Sequence, residues 1–192
     1  MTRTYTLKKR AEQQAETRQR IVEAAVELHS TVGPSETTIS MIAEKAGVQR
    51  HTLYAHFPDE RSIFQACSAH AYERDPMPNA DAWRGIANRS ERLTVALTDI
   101  YDWYGRNESL VSNIMRDVAR HPMVQEIQKT RVAPVRKGWN DVLGEKLNDK
   151  QRAMLHLALG FPTWRALVRE VGLKQEAAVK LMVHTIESAN DG

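Results

Sequence analysis

The spacing of apolar residues along this chain predicts helices from one end to the other. Between residues 20 and 32 the apolar positions recur at intervals of three or four, so they share one face of a helix. These positions are Ile21, Ala24, Ala25, Leu28 and Val32. Beyond Phe57 no run of β-branched residues alternates with polar ones. The pattern therefore predicts an all-α fold.

Residues 37–57 predict two short helices that meet at a single glycine. Thr37 or Thr38 can cap the first helix, because a side-chain oxygen at that position accepts a hydrogen bond from the first turn. Gly47 is expected to end it, since glycine adopts the left-handed conformation of a sharp turn at little cost. The residues expected to face inward are Ile39, Ile42, Ala43, Ala46, Val48, Leu53 and Phe57.

The second of these helices carries side chains suited to reading DNA. The major groove admits one α-helix, whose first residues meet the base edges. Arg50 can donate two parallel hydrogen bonds to guanine, Gln49 suits adenine, and the methyl group of Thr52 suits thymine. Tyr54 and Thr38 suit phosphates. The alternative is a helical hairpin that only builds a core.

The order of motifs from residue 17 to about residue 64 resembles the TetR family of transcriptional regulators. The motifs are Thr-Arg-x-x-Ile-x-x-Ala-Ala, then Gly, Thr-Thr, Ile-Ala, Ala-Gly-Val and Thr-Leu-Tyr-x-His-Phe. The resemblance implies a helix-turn-helix DNA-binding domain at residues 1–60 and a helical ligand-binding and dimerisation domain at residues 61–192. The DNA contacts that it implies are Thr38, Ser40, Gln49, Arg50, His51, Thr52, Tyr54 and His56.

Two positions depart from the family pattern. At the start of the fourth helix such proteins often carry a lysine that meets a phosphate, whereas here Asp59 is followed by Glu60. Arg61, one position later, is expected to take over that contact. Where the family commonly has a small residue this chain has His51, which either contributes to base reading or changes the docking depth.

Proline and glycine positions delimit the later helices. We expect them at residues 60–73, 88–106, 108–119, 122–145, 149–171 and 174–190, which gives about nine helices in all. A break is expected at residues 76–78, a short helix near Trp83, and a capping box formed by Asn148 and Gln151.

Two later helices predict a homodimer. Residues 153–161 are apolar almost all round, which predicts burial on two sides, and the last helix offers small apolar positions. The resemblance likewise implies that the two carboxy-terminal helices form a homodimer. The expected interface residues are Met154, Leu155, Ala158, Trp164, Ala178, Leu181, Met182 and Thr185. The alternative is a monomeric bundle that buries these stripes internally.

The middle helices are rich in aromatic residues and methionines, and the resemblance implies a small-molecule effector among them. The candidates are Trp83, Tyr101, Trp103, Tyr104, Met115, His121, Met123, Trp139 and Phe161. Their types predict a mostly apolar or aromatic effector. The alternative is ordinary core packing, into which Leu97, Ile100, Tyr101 and Tyr104 fit as one stripe.

Charge is distributed unevenly along the chain. Residues 1–20 hold six Lys and Arg against two Glu, whereas residues 21–64 hold three against six. The basic residues of this amino-terminal arm are Arg3, Lys8, Lys9, Arg10, Arg18 and Arg20. Such an arm can reach along DNA, and the alternative for its first residues is a solvated terminus.

Motifs of other protein classes are absent from the sequence. Residues 1–19 contain no apolar run of a secretion signal, and Cys67 is the only cysteine, which fits the cytoplasm. The chain has no Glu-x-x-His pair, no His-Glu-x-x-His and no phosphate-binding glycine loop, so we expect no enzyme, metal site or cofactor.

The sequence thus predicts a DNA-binding regulator and its partners. We expect a repressor that binds double-stranded DNA as a homodimer, is released by a small effector, and does not associate with a membrane. The alternative is a helical adaptor that binds ligand or protein but no DNA.

Overall fold

The computed structural model of the chain describes residues 2–189, with side chains from residue 7 onward, and within them every regular element is helical. The α-helices are α1 (Thr2–Thr31), α2 (Ile39–Lys45), α3 (Arg50–His56), α4 (Glu60–Arg74), α5 (Arg89–Arg106), α6 (Glu108–Asp117), α7 (Pro122–Ile127), α8 (Ala133–Leu143), α9 (Asp149–Ala158), α10 (Phe161–Arg165) and α11 (Gln175–Ser188). A 3-10 helix covers Ala80–Trp83, and π-helical segments cover Gln128–Val132 and Ala166–Glu170. The all-α prediction is confirmed.

None of the described helices combines the length and the apolar character that a bilayer-spanning helix requires.

The chain folds as two compact units. The first comprises the residues up to Pro76 together with Ser109–Ile127, and the second comprises Met77–Glu108 together with the residues from Gln128 onward. This division does not follow the boundary predicted after residue 60, because Ile63 and Cys67 of α4 belong to the same buried cluster as the apolar face of α1. The functional assignment of the two predicted domains stays a prediction.

The core of the first unit forms where α1 packs against α2, α3 and α4. The predicted stripe on α1 is buried, with Val32 packed at its edge. The start of α1 corrects the sequence interpretation, because the helix continues back to Thr2 where we expected an arm. Residues 7–20 contain no glycine or proline and are rich in Lys, Arg, Gln, Glu and Ala, which favour helix. The side chain of Arg3 lies outside the described residues.

The core of the second unit is built on α5, whose predicted stripe is buried: Leu97, Ile100 and Tyr101 are 0% exposed and Tyr104 is 3% exposed. The predicted capping box of Asn148 and Gln151 is present at the start of α9.

The helix predicted at residues 149–171 is wrong as a single element. α9 ends at Ala158, and α10 begins at Phe161 after Gly160. Pro162 lies in the first turn of α10, where its missing N–H costs nothing, but its ring would clash inside a continuous helix.

Candidate nucleic-acid interface

The turn between α2 and α3 is fixed at both ends by local hydrogen bonds. Thr38 caps α2, since its hydroxyl oxygen accepts from the Met41 N–H at 3.2 Å. At the other end Gly47 has a φ of +66°, and the Val48 N–H donates to Ala43 O at 2.9 Å. Together with the bond from the Gly47 N–H to Glu44 O, this is a Schellman turn. The predicted glycine stop is confirmed.

α3 is anchored by two apolar side chains and presents polar ones outward. Leu53 and the following Phe57 are both 0% exposed, as predicted. The predicted DNA contacts on this segment are half-buried or exposed. Thr52 and His56 form the half-buried group, and the exposed group is Gln49, Arg50, His51 and Tyr54. The helix therefore has a fixed inner face and an accessible polar face.

The accessible side chains of Gln49, Arg50 and Tyr54 have no hydrogen-bond or ion-pair partner within the described part of the chain. Gln49 occupies the N-cap position of α3 but makes no side-chain capping bond. Their donors and acceptors are consequently available to a ligand. The Thr38 hydroxyl oxygen accepts a hydrogen bond in the cap of α2, so the hydroxyl hydrogen is still available to donate to an external acceptor. The neighbouring Ser40 is exposed.

The charge around α3 is favourable for an anion. Residues 45–58 contain Lys45 and Arg50 but no Asp or Glu, so the acidic excess of residues 21–64 lies outside α3 and its flanks. Lys45 Nζ pairs with Glu27 at 2.6 Å. Arg50 is thus the Lys or Arg of this stretch that has no ion-pair partner among the described residues.

Two arginines that were predicted to belong to the arm hold the ends of the helix-turn-helix. The Arg18 guanidinium lies 4.2 Å from the ring centre of Phe57, and Arg20 Nη1 donates to Ala46 O at 3.2 Å. A cation over an aromatic ring stabilises an exposed site by about 0.5–1 kcal/mol. These side chains fix the position of α2 and α3 on α1.

Arg61 is engaged within its own unit. Its Nη2 lies 2.5 Å from both carboxylate oxygens of Glu126 on α7. Asp59 occupies the N-cap of α4, where its Oδ1 accepts from the Ser62 N–H at 2.7 Å. The predicted phosphate contact by Arg61 therefore requires this side chain to leave Glu126.

A buried carboxylate that the sequence reasoning missed connects α6 to the segment before α2. Asp117 is 4% exposed and accepts from the Ser35 N–H at 2.9 Å and from Arg116 Nε at 2.7 Å. Arg116 also donates to Val32 O at 3.0 Å. The bond from Arg116 and the Ser35 N–H hold the pKa of Asp117 below its usual range. The 82-residue separation of Ser35 and Asp117 leaves no local sequence signal.

A second missed cluster lies between α1, α4 and the start of α7. The Phe64 ring lies 5.0 Å from His29 and 5.3 Å from His121, measured between ring centres. Burial, with a smaller contribution from His121, lowers the pKa of His29 to about 4. Burial also raises the pKa of the Cys67 thiol to about 12, so this cysteine is an inert core residue.

The predicted effector residues divide between the two units. Trp83, Tyr101, Trp103, Tyr104, Trp139 and Phe161 are buried in the second unit, whereas Met115, His121 and Met123 belong to the first. Met115 is 42% exposed. The hydroxyls of Tyr101 and Tyr104 donate to Ala158 O and Leu159 O at 3.0 and 2.7 Å. These two tyrosines are satisfied as core residues.

Half of the predicted dimer residues are covered by the chain itself, which corrects the prediction. Trp164, Ala158 and Ala178 are 0% exposed and Leu155 is 1% exposed, because they fill the core beneath α9, α10 and α11. The accessible ones are Met154, Leu181, Met182 and Thr185. Leu181 is 42% exposed, Leu157 is 52% exposed, and a groove of about 500 Å³ beside Met154 and Thr185 runs between α9 and α11.

Among the described residues no group of three His, Cys, Asp or Glu side chains is placed to hold a metal ion.

Comparisons with known proteins place this architecture in a family. The profile described as bacterial regulatory proteins, tetR family, matches residues 21–67. Over 95 residues, 48% of this chain, the sequence is 39% identical to the HTH-type transcriptional regulator SrpR of Pseudomonas putida, and the match spans 43% of SrpR. It is 38% identical over 95 residues to the uncharacterized HTH-type transcriptional regulator TtgW, also of Pseudomonas putida, which covers 48% of this chain and 68% of TtgW.

A solved structure shows the same fold. The TetR-like transcriptional regulator from Rhodococcus sp. RHA1 matches with a TM-score of 0.66 and 20% sequence identity, over 89% of this chain and 93% of that one. The profile and the sequence relatives show that the chain belongs to the TetR family of bacterial regulatory proteins, which are DNA-binding transcriptional regulators and not enzymes.

Proposed function

We propose that this chain is a repressor that binds a pseudo-palindromic operator as a homodimer and is released by a small effector. The observation that carries this proposal is the outer face of α3. There Gln49, Arg50 and Tyr54 are exposed and unpaired within the described residues, on a helix anchored by Leu53 and Phe57. A polar face left without internal partners is suited to an external one.

Each polar residue of the face has a distinct role. Arg50 donates a bidentate pair to a guanine, Gln49 reads an adenine, and the Thr52 methyl contacts a thymine. Tyr54 contacts a backbone phosphate. His51, His56, Thr38, Ser40 and Arg61 complete the interface at the bases or the flanking phosphates. The helical basic segment of Lys8, Lys9 and Arg10 extends along the DNA backbone.

The dimer uses the accessible face of α9 and α11. Leu157 and Leu181 are large apolar side chains that stand in water in the single chain. Burying them against the same residues of a second chain is favourable by about 25 cal/mol per Å² of apolar surface. A two-fold axis then presents two copies of α3 to two half-sites one helical turn apart.

The effector is a small, mostly apolar or aromatic molecule bound in the second unit. Tyr104, Phe161 and Trp164 pack there with ring centres 5.3–6.0 Å apart. The Trp164 Nε1 is buried without an acceptor among the described residues, so it can donate to a ligand. Release requires the effector to bind the DNA-incompetent form more tightly than the other. The repressor acts in the cytoplasm, where bacterial DNA is located.

Substitution of Arg50 tests the proposal against the adaptor alternative. Arg50→Ala is expected to weaken operator binding by about 1–3 kcal/mol, and Tyr54→Phe to weaken binding to all sequences alike. Arg74→Ala, which removes an exposed arginine at the end of α4, is the matched control. Fluorescence anisotropy with duplex DNA measures the affinity, and light scattering checks that dimerisation is unchanged. Equal DNA affinity for Arg50→Ala and the control would favour the adaptor.

A further inference from the structure

The pairing of Arg61 with Glu126 has a consequence for DNA binding. Arg61 is the only Lys or Arg between Arg50 and Arg74, and it stands in the first turn of α4 with its side chain 60% exposed. It is therefore the basic group that a phosphate beyond α3 would meet. Both carboxylate oxygens of Glu126 already lie 2.5 Å from its Nη2.

Glu126 is held in this position by the packing of α7. Val124, two residues earlier, is 2% exposed, and His121 stacks on Phe64 of α4 with ring centres 5.3 Å apart. These contacts fix the backbone of α7 beside α4 within one unit, and Glu126 on this helix lies within reach of Arg61.

The surrounding charges strengthen the effect of the pair. Asp59 and Glu60 directly precede Arg61 in the sequence, and the carboxylate of Glu126 is paired with its guanidinium. Asp59 also occupies the N-cap of α4, where a phosphate would otherwise find backbone N–H groups. Arg61 is the one Lys or Arg among residues 51–73 that could attract a phosphate, and it is already paired with Glu126.

We propose that Glu126 competes with DNA phosphate for Arg61 and so limits the affinity of the chain for DNA. This inference rests on the proposed DNA-binding function. In the absence of DNA the guanidinium is bound to Glu126. On DNA it either exchanges the carboxylate for a phosphate or makes no contact at all. In both cases removal of the Glu126 charge strengthens binding, and the gain depends on Arg61.

A double-mutant cycle in the full chain tests the competition. The variants are Glu126→Gln, Arg61→Gln and their combination, measured by anisotropy on a labelled mixed-sequence duplex of about 30 base pairs at about 0.05–0.2 M NaCl. We expect Glu126→Gln to tighten binding about two- to fivefold, the range of an exposed ion pair. In the Arg61→Gln background, Glu126→Gln should increase the DNA affinity by no more than the removal of a distant carboxylate does.

The charge control is Glu108→Gln, which removes one carboxylate from a similar pair in the second unit, where Glu108 Oε2 lies 2.8 Å from Arg169 Nε. The proposed competition is wrong if Glu126→Gln and Glu108→Gln change the DNA affinity equally, or if Glu126→Gln still increases the DNA affinity in the Arg61→Gln background. These results would leave the DNA-binding proposal standing as long as the wild-type chain binds the duplex. If no variant binds duplex DNA, both proposals are wrong.

Discussion

At the scale of single residues, Arg50 and His29 are basic groups in opposite environments. Arg50 is exposed on α3 and has no ion-pair partner among the described residues, whereas His29 is 8% exposed beneath Phe64. A buried imidazole disfavours its charged form, and His121 and Asp117 act on it with opposite signs, of which His121 has the larger effect. His29 is therefore neutral at pH 7, and protonation of its imidazole is expected to lower the free energy of unfolding.

The free energy of unfolding is expected to fall as the pH drops below 6.5. The pKa of His29 is about 4 in the folded chain against 6.5 when unfolded, so between these values the unfolded chain binds more protons. From pH 7 to pH 5 the loss is about 2 kcal/mol. Urea unfolding at a fixed protein concentration measures it. His29→Gln should flatten this pH dependence, and the exposed His51→Gln should not. A wild-type slope in His29→Gln would contradict the assignment.

At the scale of elements, the helix-turn-helix is specified locally and its connections to other helices are not. The Thr38 cap, the Gly47 turn and the inward side of α3 follow from residues within a few positions of each other, and these features could be predicted. The ion pair of Arg61 with Glu126 joins residues 65 positions apart, so no periodicity indicates it. The site was therefore predictable as a set of exposed residues, but not the contacts that hold or compete for them.

The break between α9 and α10 shows a different limit of sequence reasoning. Gly160 and Pro162 signalled it, but the apolar residues on both sides favoured one long helix. Four residues expected at the dimer interface are instead covered by the chain itself, for a related reason. Apolar periodicity identifies a helix face that is buried, but it does not show whether the same chain or a second chain buries it. Trp164 and Ala178 are buried by the same chain.

The contact of α6 with the segment before α2 is expected to be needed for stability. The two carboxylate oxygens of Asp117 accept hydrogen bonds from the Ser35 N–H and from Arg116 Nε. Asp117→Asn removes the negative charge and replaces one of these oxygens by an amide N–H₂, which cannot accept from either donor. We expect a loss of about 1–3 kcal/mol in urea unfolding at pH 7. Asp141→Asn, in an exposed pair with Lys137, is the matched control and should change stability by less than about 1 kcal/mol. Similar effects of the two substitutions would show that Asp117 is dispensable.

At the scale of the whole molecule, the proposed mechanism depends on two chains acting together. A single α3 covers only one half-site, and operator affinity needs the second copy to be held by the α9 and α11 face. The apolar side chains Leu157 and Leu181 on this face are half-exposed in the single chain. The proposed dimer requires a partner chain that buries these two side chains.

Light scattering at micromolar concentration is expected to give twice the chain mass of 21.8 kDa. Leu157→Glu combined with Leu181→Glu should reduce it to that of one chain, because each interface would bury unpaired carboxylates. Leu7→Glu, at a leucine on α1 that is 62% exposed, is the control and should remain dimeric. A wild-type chain that scatters as a monomer would rule out the dimer.

Operator recognition is tested most directly by selecting bound fragments from the source genome with the purified chain. At about 0.15 M salt, non-specific phosphate binding is already weakened, so the bound fragments report on base contacts. We expect one or a few pseudo-palindromic sites, with half-sites one helical turn apart, that are lost with Arg50→Ala. Fragments that share no motif, or no bound fragments, would contradict it.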